Sequence, residues 1–296
     1  MRKIDISEYV KSGAGANGSS YDKIDDSSVM LKLYNTDYPT QTIFDEHEVA
    51  KKAFKIGVPS PEPGEIVTDG ERIGIQFKRI VGKRSYSRAI ADEPERVEEY
   101  SREFARYCKK IHQLQCPEGM FPSAKEQFLH MLEVSKTYTP EQKSIVKEFI
   151  ESVPDCMTAL HGDMHIGNVI TTLPKGAPMS TPHDVFFIDL GYFSYGYPLF
   201  DLGMLYNICL TADEDFRQQE IHLTGEMTKI VWKYFIDEYF FQEDNLAEKY
   251  FGKDATLERI NEILAKFSCI KLLLVEFNLG FLPENYLSVV KKTFNF

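Results

Sequence analysis

Residues 161–168 read His161-Gly162-Asp163-Met164-His165-Ile166-Gly167-Asn168, and residues 186–191 read Phe186-Phe187-Ile188-Asp189-Leu190-Gly191. The first stretch sets an acid and an amide on one loop that runs into an apolar strand, Val169-Ile170. The second ends another apolar strand on an acid. Between them lies a Pro/Gly/Ser-rich connection, Pro174 to Pro182, of the kind that joins elements and does not extend them. Taken singly, Asp163 and Asp189 read as ordinary loop acids. Two acids and an amide on consecutive strand-and-loop units, after a helical stretch, make a far more specific pattern.

That set matches the needs of phosphoryl transfer. One carboxylate orients the attacking hydroxyl and accepts its proton, the role expected of Asp163. An amide oxygen and a second carboxylate, Asn168 and Asp189, are the expected ligands of the Mg²⁺ that neutralises phosphate charge. Hard oxygen donors suit magnesium, and no histidine or thiolate cluster competes.

Upstream, the chain reads as strands, turns and one helix. Strands are expected at Ile4–Val10, Ser19–Ile24 and Val29–Tyr34, with a hairpin of Glu65–Thr68 and Arg72–Ile80 across Asp69-Gly70. A helix is expected over Thr42–Ile56, stopped by Gly57 and Pro59. The glycine turn Gly13-x-Gly15-x-x-Gly18 is a weak motif in isolation. A dinucleotide fingerprint would open a helix. Here a turn and a strand follow, which favours a hairpin over ATP phosphates, with a plain flexible hairpin as the bland alternative. Lys32 interrupts the apolar run Val29-Met30-Leu31-Lys32-Leu33-Tyr34, where an unpaired ammonium is costly. Glu46 shares a helix face with Val49, Ala50 and Ala53, so it points inward as a partner. Glu48 lies with Lys51, Lys52 and Lys55 on a solvated face. Downstream, helices are expected at Glu95–Gln113 and Pro140–Val153, and helical periodicity returns from Leu199 to the end. The expected fold is α+β, with an antiparallel-sheet lobe at 1–81 and a helical lobe at 82–296.

The loop H-G-D-x-x-x-x-N followed by I-D resembles the signature of the aminoglycoside phosphotransferase and choline kinase superfamily, and the resemblance covers nearly the whole chain. It implies a two-lobe protein-kinase-like fold with Mg·ATP bound, and a small-molecule hydroxyl as acceptor. The pattern E-x10-G-x-x-x-P fits Glu46, Gly57 and Pro61, which implies a Lys32–Glu46 pair serving the phosphates. Residues 72–82 resemble the interlobe strand and hinge. There the resemblance implies adenine bonding to the Lys78 carbonyl and the Ile80 amide. Asp201 implies a brace that accepts catalytic-loop backbone hydrogens. His112 matches a family position but reads as packing, and His161 and His165 as structural. Gly162 stands where protein kinases carry Arg, and no A-P-E segment follows Asp189, which disfavours a protein kinase.

Composition narrows the partners. Acidic residues outnumber basic ones, 45 to 34, for a net charge of −11, which argues against a general nucleic-acid binder. The five cysteines form no C-x-x-C pair. With no apolar run of membrane-spanning length and no apolar signal core, a cytoplasmic protein is expected. The acceptor region is expected in 199–296, where Trp232, Tyr234, Phe235, Asp237, Glu238, Tyr239, Phe240, Phe241, Glu243 and Asp244 cluster. Aromatics at helical spacing are usually core, so this cluster identifies no acceptor. Two alternatives stay open: a protein kinase-like enzyme, and a non-catalytic nucleotide-binding module. The oligomeric state is not legible.

Overall fold

The computed structural model describes residues 1–15, 17–242 and 244–296. Strands β1 (Arg2–Lys3), β2 (Tyr9–Gly15), β3 (Gly18–Lys23) and β4 (Val29–Tyr34) precede helix α1 (Thr40–Lys55). Then come β5 (Pro63–Thr68), β6 (Ile73–Lys78), β7 (Arg84–Ser85), α2 (Tyr86–Asp92), α3 (Val97–Ile111), α4 (Ala124–Val134) and α5 (Pro140–Ser152). Short strands β8 (Ala159–Leu160), β9 (Val169–Thr171), β10 (Val185–Phe187) and β11 (Ser194–Tyr195) follow. The rest is helical: α6 (Leu199–Tyr206), α7 (Glu214–Glu220), α8 (Gly225–Ile236), α9 (Leu246–Phe251), α10 (Leu257–Leu279) and α11 (Glu284–Phe294). The chain divides into two compact units. One is Met1–Arg84 with Val169–Tyr192, and the other is Ser85–Asn168 with Phe193–Phe296.

The first unit is built on a six-stranded sheet of order β1-β5-β6-β4-β3-β2. It is antiparallel except where β1 runs parallel to β5. Alternation along β4 sorts its side chains. Leu31 and Leu33 pack with Ile4, Tyr9 and Val67 on one face. Tyr34, and with it Lys32, turns to the other face, where Tyr34 meets Ile43 of α1 and Ile75. The strand expected from Ile4 does not form. Asp5 instead caps a short 3-10 turn, its carboxylate accepting the Ser7 amide at 2.9 Å and the Ser7 hydroxyl at 2.7 Å, so extended backbone resumes only at Tyr9. The hairpin β9–β10 belongs to this unit, tied to it by the Phe187 amide donating to the Pro59 carbonyl at 2.7 Å.

The second unit is helical apart from the β8–β11 ladder. Its axis is the crossing of α6 and α10. Gly203 makes that crossing close, because a Cβ there would stand 2.6 Å from Phe267 Cβ. Phe200 and Phe267 pack edge to face at 5.2 Å across it. Most of the aromatic cluster of 232–241 is core: Trp232, Phe235, Tyr239 and Phe240 are all buried. Burying a Phe side chain contributes about 1.5–3 kcal/mol. Glu243 lies outside the described residues.

Candidate active site

In the first unit, three charged side chains converge. Lys32 Nζ donates to Glu46 Oε1 at 2.8 Å and to Asp189 Oδ1 at 2.6 Å. Burial by itself would push the Lys32 ammonium down, but the Asp189 carboxylate and then Glu46 more than offset it and hold Lys32 well above its ordinary value. Glu46 is buried on α1, whereas Glu48 is exposed and pairs with Lys51 at 3.1 Å. The residues after Asp189 coil into a turn, Leu190–Tyr192, and place Gly191 beside the Glu46 side chain. Asp189 has φ +58°, a left-handed conformation that non-glycine residues rarely adopt. Such strain costs about 1–3 kcal/mol and gathers at functional sites. Half its side chain is exposed, so the second oxygen can reach a ligand.

The glycine turn is the β2–β3 hairpin. Register aligns Gly13 with Ser20 and Ser20 with Lys32, a row across three strands. A Cβ on Gly13 would meet Ser20 Oγ, which can rotate away, whereas one on Gly18 would collide with the Leu33 carbonyl and the Tyr34 backbone, so Gly18 is the position that requires glycine for space. Gly15 ends β2, next to Ala16, which lies outside the described residues. Lys78 closes β6 with its amide on the Glu62 carbonyl at 2.8 Å, and Ile80 follows in the loop.

In the second unit, Asp163 is held by His161, Asn168 and His165. Its amide donates to His161 Nδ1 at 3.2 Å. Asn168 Nδ2 donates both to the Asp163 carbonyl, at 3.1 Å, and to its Oδ2, at 2.9 Å. His165 Nε2 lies 3.6 Å from the same Oδ2. Gly167 leaves room for the His165 ring, since a Cβ there would stand 2.9 Å from His165 Cε1. Burial pushes the Asp163 carboxyl up, but His165 chiefly, then His161 and Lys271, outweigh it and hold it well below the usual carboxylate range.

The loop rests on a buried scaffold. Asp201, in the first turn of α6, accepts the His161 amide at 2.7 Å and the Gly162 amide at 2.8 Å. His112, expected as packing, instead bridges Asp201 Oδ2, at 3.2 Å, and the Tyr239 hydroxyl, at 2.7 Å. Burial pushes Asp201 up too, but His112, Lys271 and His161 bring it below the ordinary range. Lys271 of α10 donates to the Gly162 carbonyl at 2.7 Å. Sequence reasoning missed Lys271, and it named Tyr239 only within the expected acceptor region. The signal for Lys271 was present: it interrupts the apolar run Ile270-Lys271-Leu272-Leu273-Leu274 as Lys32 interrupts its strand.

Comparison with known proteins covers most of the chain. The family model described as "Phosphotransferase enzyme family" matches residues 11–232. No curated protein matches. Among solved structures, APH(2")-IIa in its gentamicin complex is 16% identical, with 97% of this chain and 90% of that one covered and a TM-score of 0.52. The same enzyme in a streptomycin–ATP ternary complex gives 17%, 98%, 91% and 0.50. The aminoglycoside phosphotransferase APH(3'')-Id from Streptomyces rimosus gives 17%, 88%, 92% and 0.51. A choline/ethanolamine kinase family protein from Mesorhizobium loti gives 16%, 97%, 85% and 0.50. At such identities these likenesses establish the fold, a two-lobe kinase-like α+β architecture.

Proposed function

Because the chain belongs to the phosphotransferase enzyme family, we propose that it moves the γ-phosphoryl group of ATP to a hydroxyl of a small molecule. The observation that carries the reading is Asp163: a carboxylate pinned by Asn168 and held ionised, yet with a quarter of its side chain open to solvent. In the proposed step the acceptor hydroxyl donates to an Oδ of Asp163, and its oxygen attacks the γ-phosphorus. The bond to the β-phosphate oxygen breaks, ADP leaves, and the hydroxyl proton passes to Asp163. A carboxylate held below its usual range is a weak base. It suits a loose transition state, in which the hydroxyl grows acidic only as its bond to phosphorus forms.

Lys32 and the Gly13/Gly15/Gly18 hairpin are proposed to hold the phosphates, with Glu46 orienting Lys32, and the main chain at Lys78 and Ile80 to receive adenine. Asn168 and Asp189 are the proposed Mg²⁺ donors. The residues fit: magnesium takes one or two protein oxygens beside phosphates and water. Asn168 turns its NH₂ to Asp163, which leaves its oxygen as the ligand end. When bound, the ion neutralises phosphate charge.

A small-molecule acceptor is favoured by Gly162 and by the lack of an A-P-E segment after Asp189. One enzyme of similar fold was solved with gentamicin and with streptomycin, so amine-bearing alcohols are the first acceptors to try. The test is an ATP-consumption screen over amino alcohols, sugars, amines and antibiotics, with γ-labelled ATP to follow the product. Label in a small polar product is expected. Stoichiometric label in a protein, with none in any small molecule, reverses the choice of acceptor.

A further inference from the structure

Lys271 is 5% exposed, so its ammonium has been taken out of water, at a cost that a Met or Leu in the same helix would not carry. Among the described residues it gains one direct hydrogen bond, to the Gly162 carbonyl at 2.7 Å. That carbonyl belongs to the peptide plane whose nitrogen is the Asp163 amide. The Gly162 amide is held at the same time by Asp201, so both polar atoms of this residue are clamped, one from α6 and one from α10. Gly162 has φ +84°, and a backbone in that region turns freely unless held. The ammonium also stacks over the Phe128 ring at 5.1 Å, which fixes its direction. Burial lowers Lys271, and the Asp201 and Asp163 carboxylates only partly restore it.

We propose that Lys271 is a positioning residue: by pinning the Gly162 carbonyl it fixes the peptide plane that aims the Asp163 carboxylate. The proposal rests on the reading of Asp163 as the catalytic carboxylate. A misplacement of about 1 Å at such a group can cost ~10²-fold in rate.

Two readouts separate this proposal from that reading. Gly162-Asp163 is the chain's only Gly-Asp step, so labelling with ¹³C′-Gly and ¹⁵N-Asp isolates one peptide resonance. In Lys271→Met its carbonyl shift moves upfield as the donor is lost, whether or not the protein transfers phosphate; an unmoved resonance overturns the proposal. The second readout is Mg·ATP hydrolysis, with water as acceptor. Lys271→Met lowers kcat about 10- to 100-fold and leaves the melting shift produced by Mg·ATP as in the wild type. In an Asp163→Asn background the same substitution costs less than about twofold, because residues acting through one another are non-additive. Equal losses in both backgrounds overturn the proposal, as does wild-type turnover by Lys271→Met. If Lys271→Met fails to fold, Lys271→Leu, which likewise has no donor, carries both readouts. Failure of both variants to fold overturns the proposal in favour of a purely structural lysine. A wild-type protein that turns over no Mg·ATP, either with water or with any acceptor of the screen, sinks the phosphotransfer reading and leaves the carbonyl shift to judge the Lys271 contact.

Discussion

Each unit of this protein sets a lysine among carboxylates, and the two lysines are handled oppositely. Lys32 touches two carboxylates directly, at 2.8 and 2.6 Å, and its ammonium is held well above its ordinary value. Lys271 touches a main-chain carbonyl, with carboxylates near but not in contact, and burial wins: its ammonium is lowered. About a quarter of the Lys32 side chain is exposed, and one of its partners, Asp189, sits on strained backbone and is half open. Such a group can exchange partners when an anionic ligand arrives. Lys271 is closed in, with nothing to exchange. On the proposed reading, the contrast separates a charge kept available for binding from a charge spent on geometry.

The largest expected effect tests the geometry side. Asp163→Asn keeps the shape of the side chain and removes the carboxylate. Its kcat should fall about 10²- to 10⁴-fold, the usual worth of a positioned general base. Affinity for Mg·ATP should stay near wild type, because the proposed phosphate ligands lie elsewhere. Near-full turnover would reduce Asp163 to a loop residue. A melt of the apo variant must accompany the kinetics.

Next in size is the scaffold. Asp201 accepts two backbone amides and His112. Asp201→Ala would strand all three and should destabilise the fold by about 3 kcal/mol in a denaturant titration. The same carboxylate predicts a pH signature. Its folded value, like that of Asp163, lies below the ordinary one. Its stabilisation is therefore complete above the unfolded carboxylate value of about 3.9 and is lost as pH falls through the folded value. Melting temperature should drop steeply below about pH 4 and less steeply in Asp201→Asn. Parallel curves for the two proteins would refute the assignment.

How much of this was legible before the structure depends on sequence distance. The loop 161–168 carries its acid, amide and glycines within eight residues, so spacing alone shows it. Lys32 and Glu46 were legible by cost and by helix face, two local criteria. Lys271 meets Gly162 across 109 positions, and His112 meets Asp201 across 89. No local pattern encodes those pairings, although the apolar neighbours of Lys271 flag an ammonium in need of a partner. Helices α2 and α4 escaped notice for a related reason: their starts are set by Ser85 and Ser123 caps and their register by burial within the second unit. The lost strand at Ile4 shows the converse, a side-chain cap at Asp5 overriding an apolar alternation.

The binding side of the contrast predicts smaller numbers. Lys32→Met should weaken Mg·ATP about 10- to 100-fold, the loss of one charge-assisted hydrogen bond at ~1.5–3 kcal/mol, read by nucleotide titration. Asp189→Ala should weaken it as well, and Asn168→Ala less, because the lost ligand is neutral. Unchanged affinity in Lys32→Met would show that the ammonium serves only the ion pairs of its own unit.

The smallest effect is the most discriminating, because it compares two glutamates two residues apart on one helix. Glu46 is buried and 2.8 Å from Lys32, whereas Glu48 is exposed and pairs with Lys51 within the helix. Glu48→Gln should change stability by no more than about 0.5 kcal/mol, since an exposed i,i+3 pair is screened and its side chains stay mobile. Nucleotide affinity should not change. Glu46→Gln keeps an acceptor oxygen but removes the charge that holds Lys32 in place. It should cost about 1–2 kcal/mol of stability and should lower Mg·ATP affinity along with it, because a lysine released from α1 no longer points along a fixed line. If the two substitutions proved equal in both measurements, the face of α1 would carry no functional information, and the Lys32 pair would be one more surface contact. If Glu46→Gln lowered stability and left affinity intact, the pair would serve the fold and not the ligand, which would place Lys32 beside Lys271 as a second lysine spent on geometry.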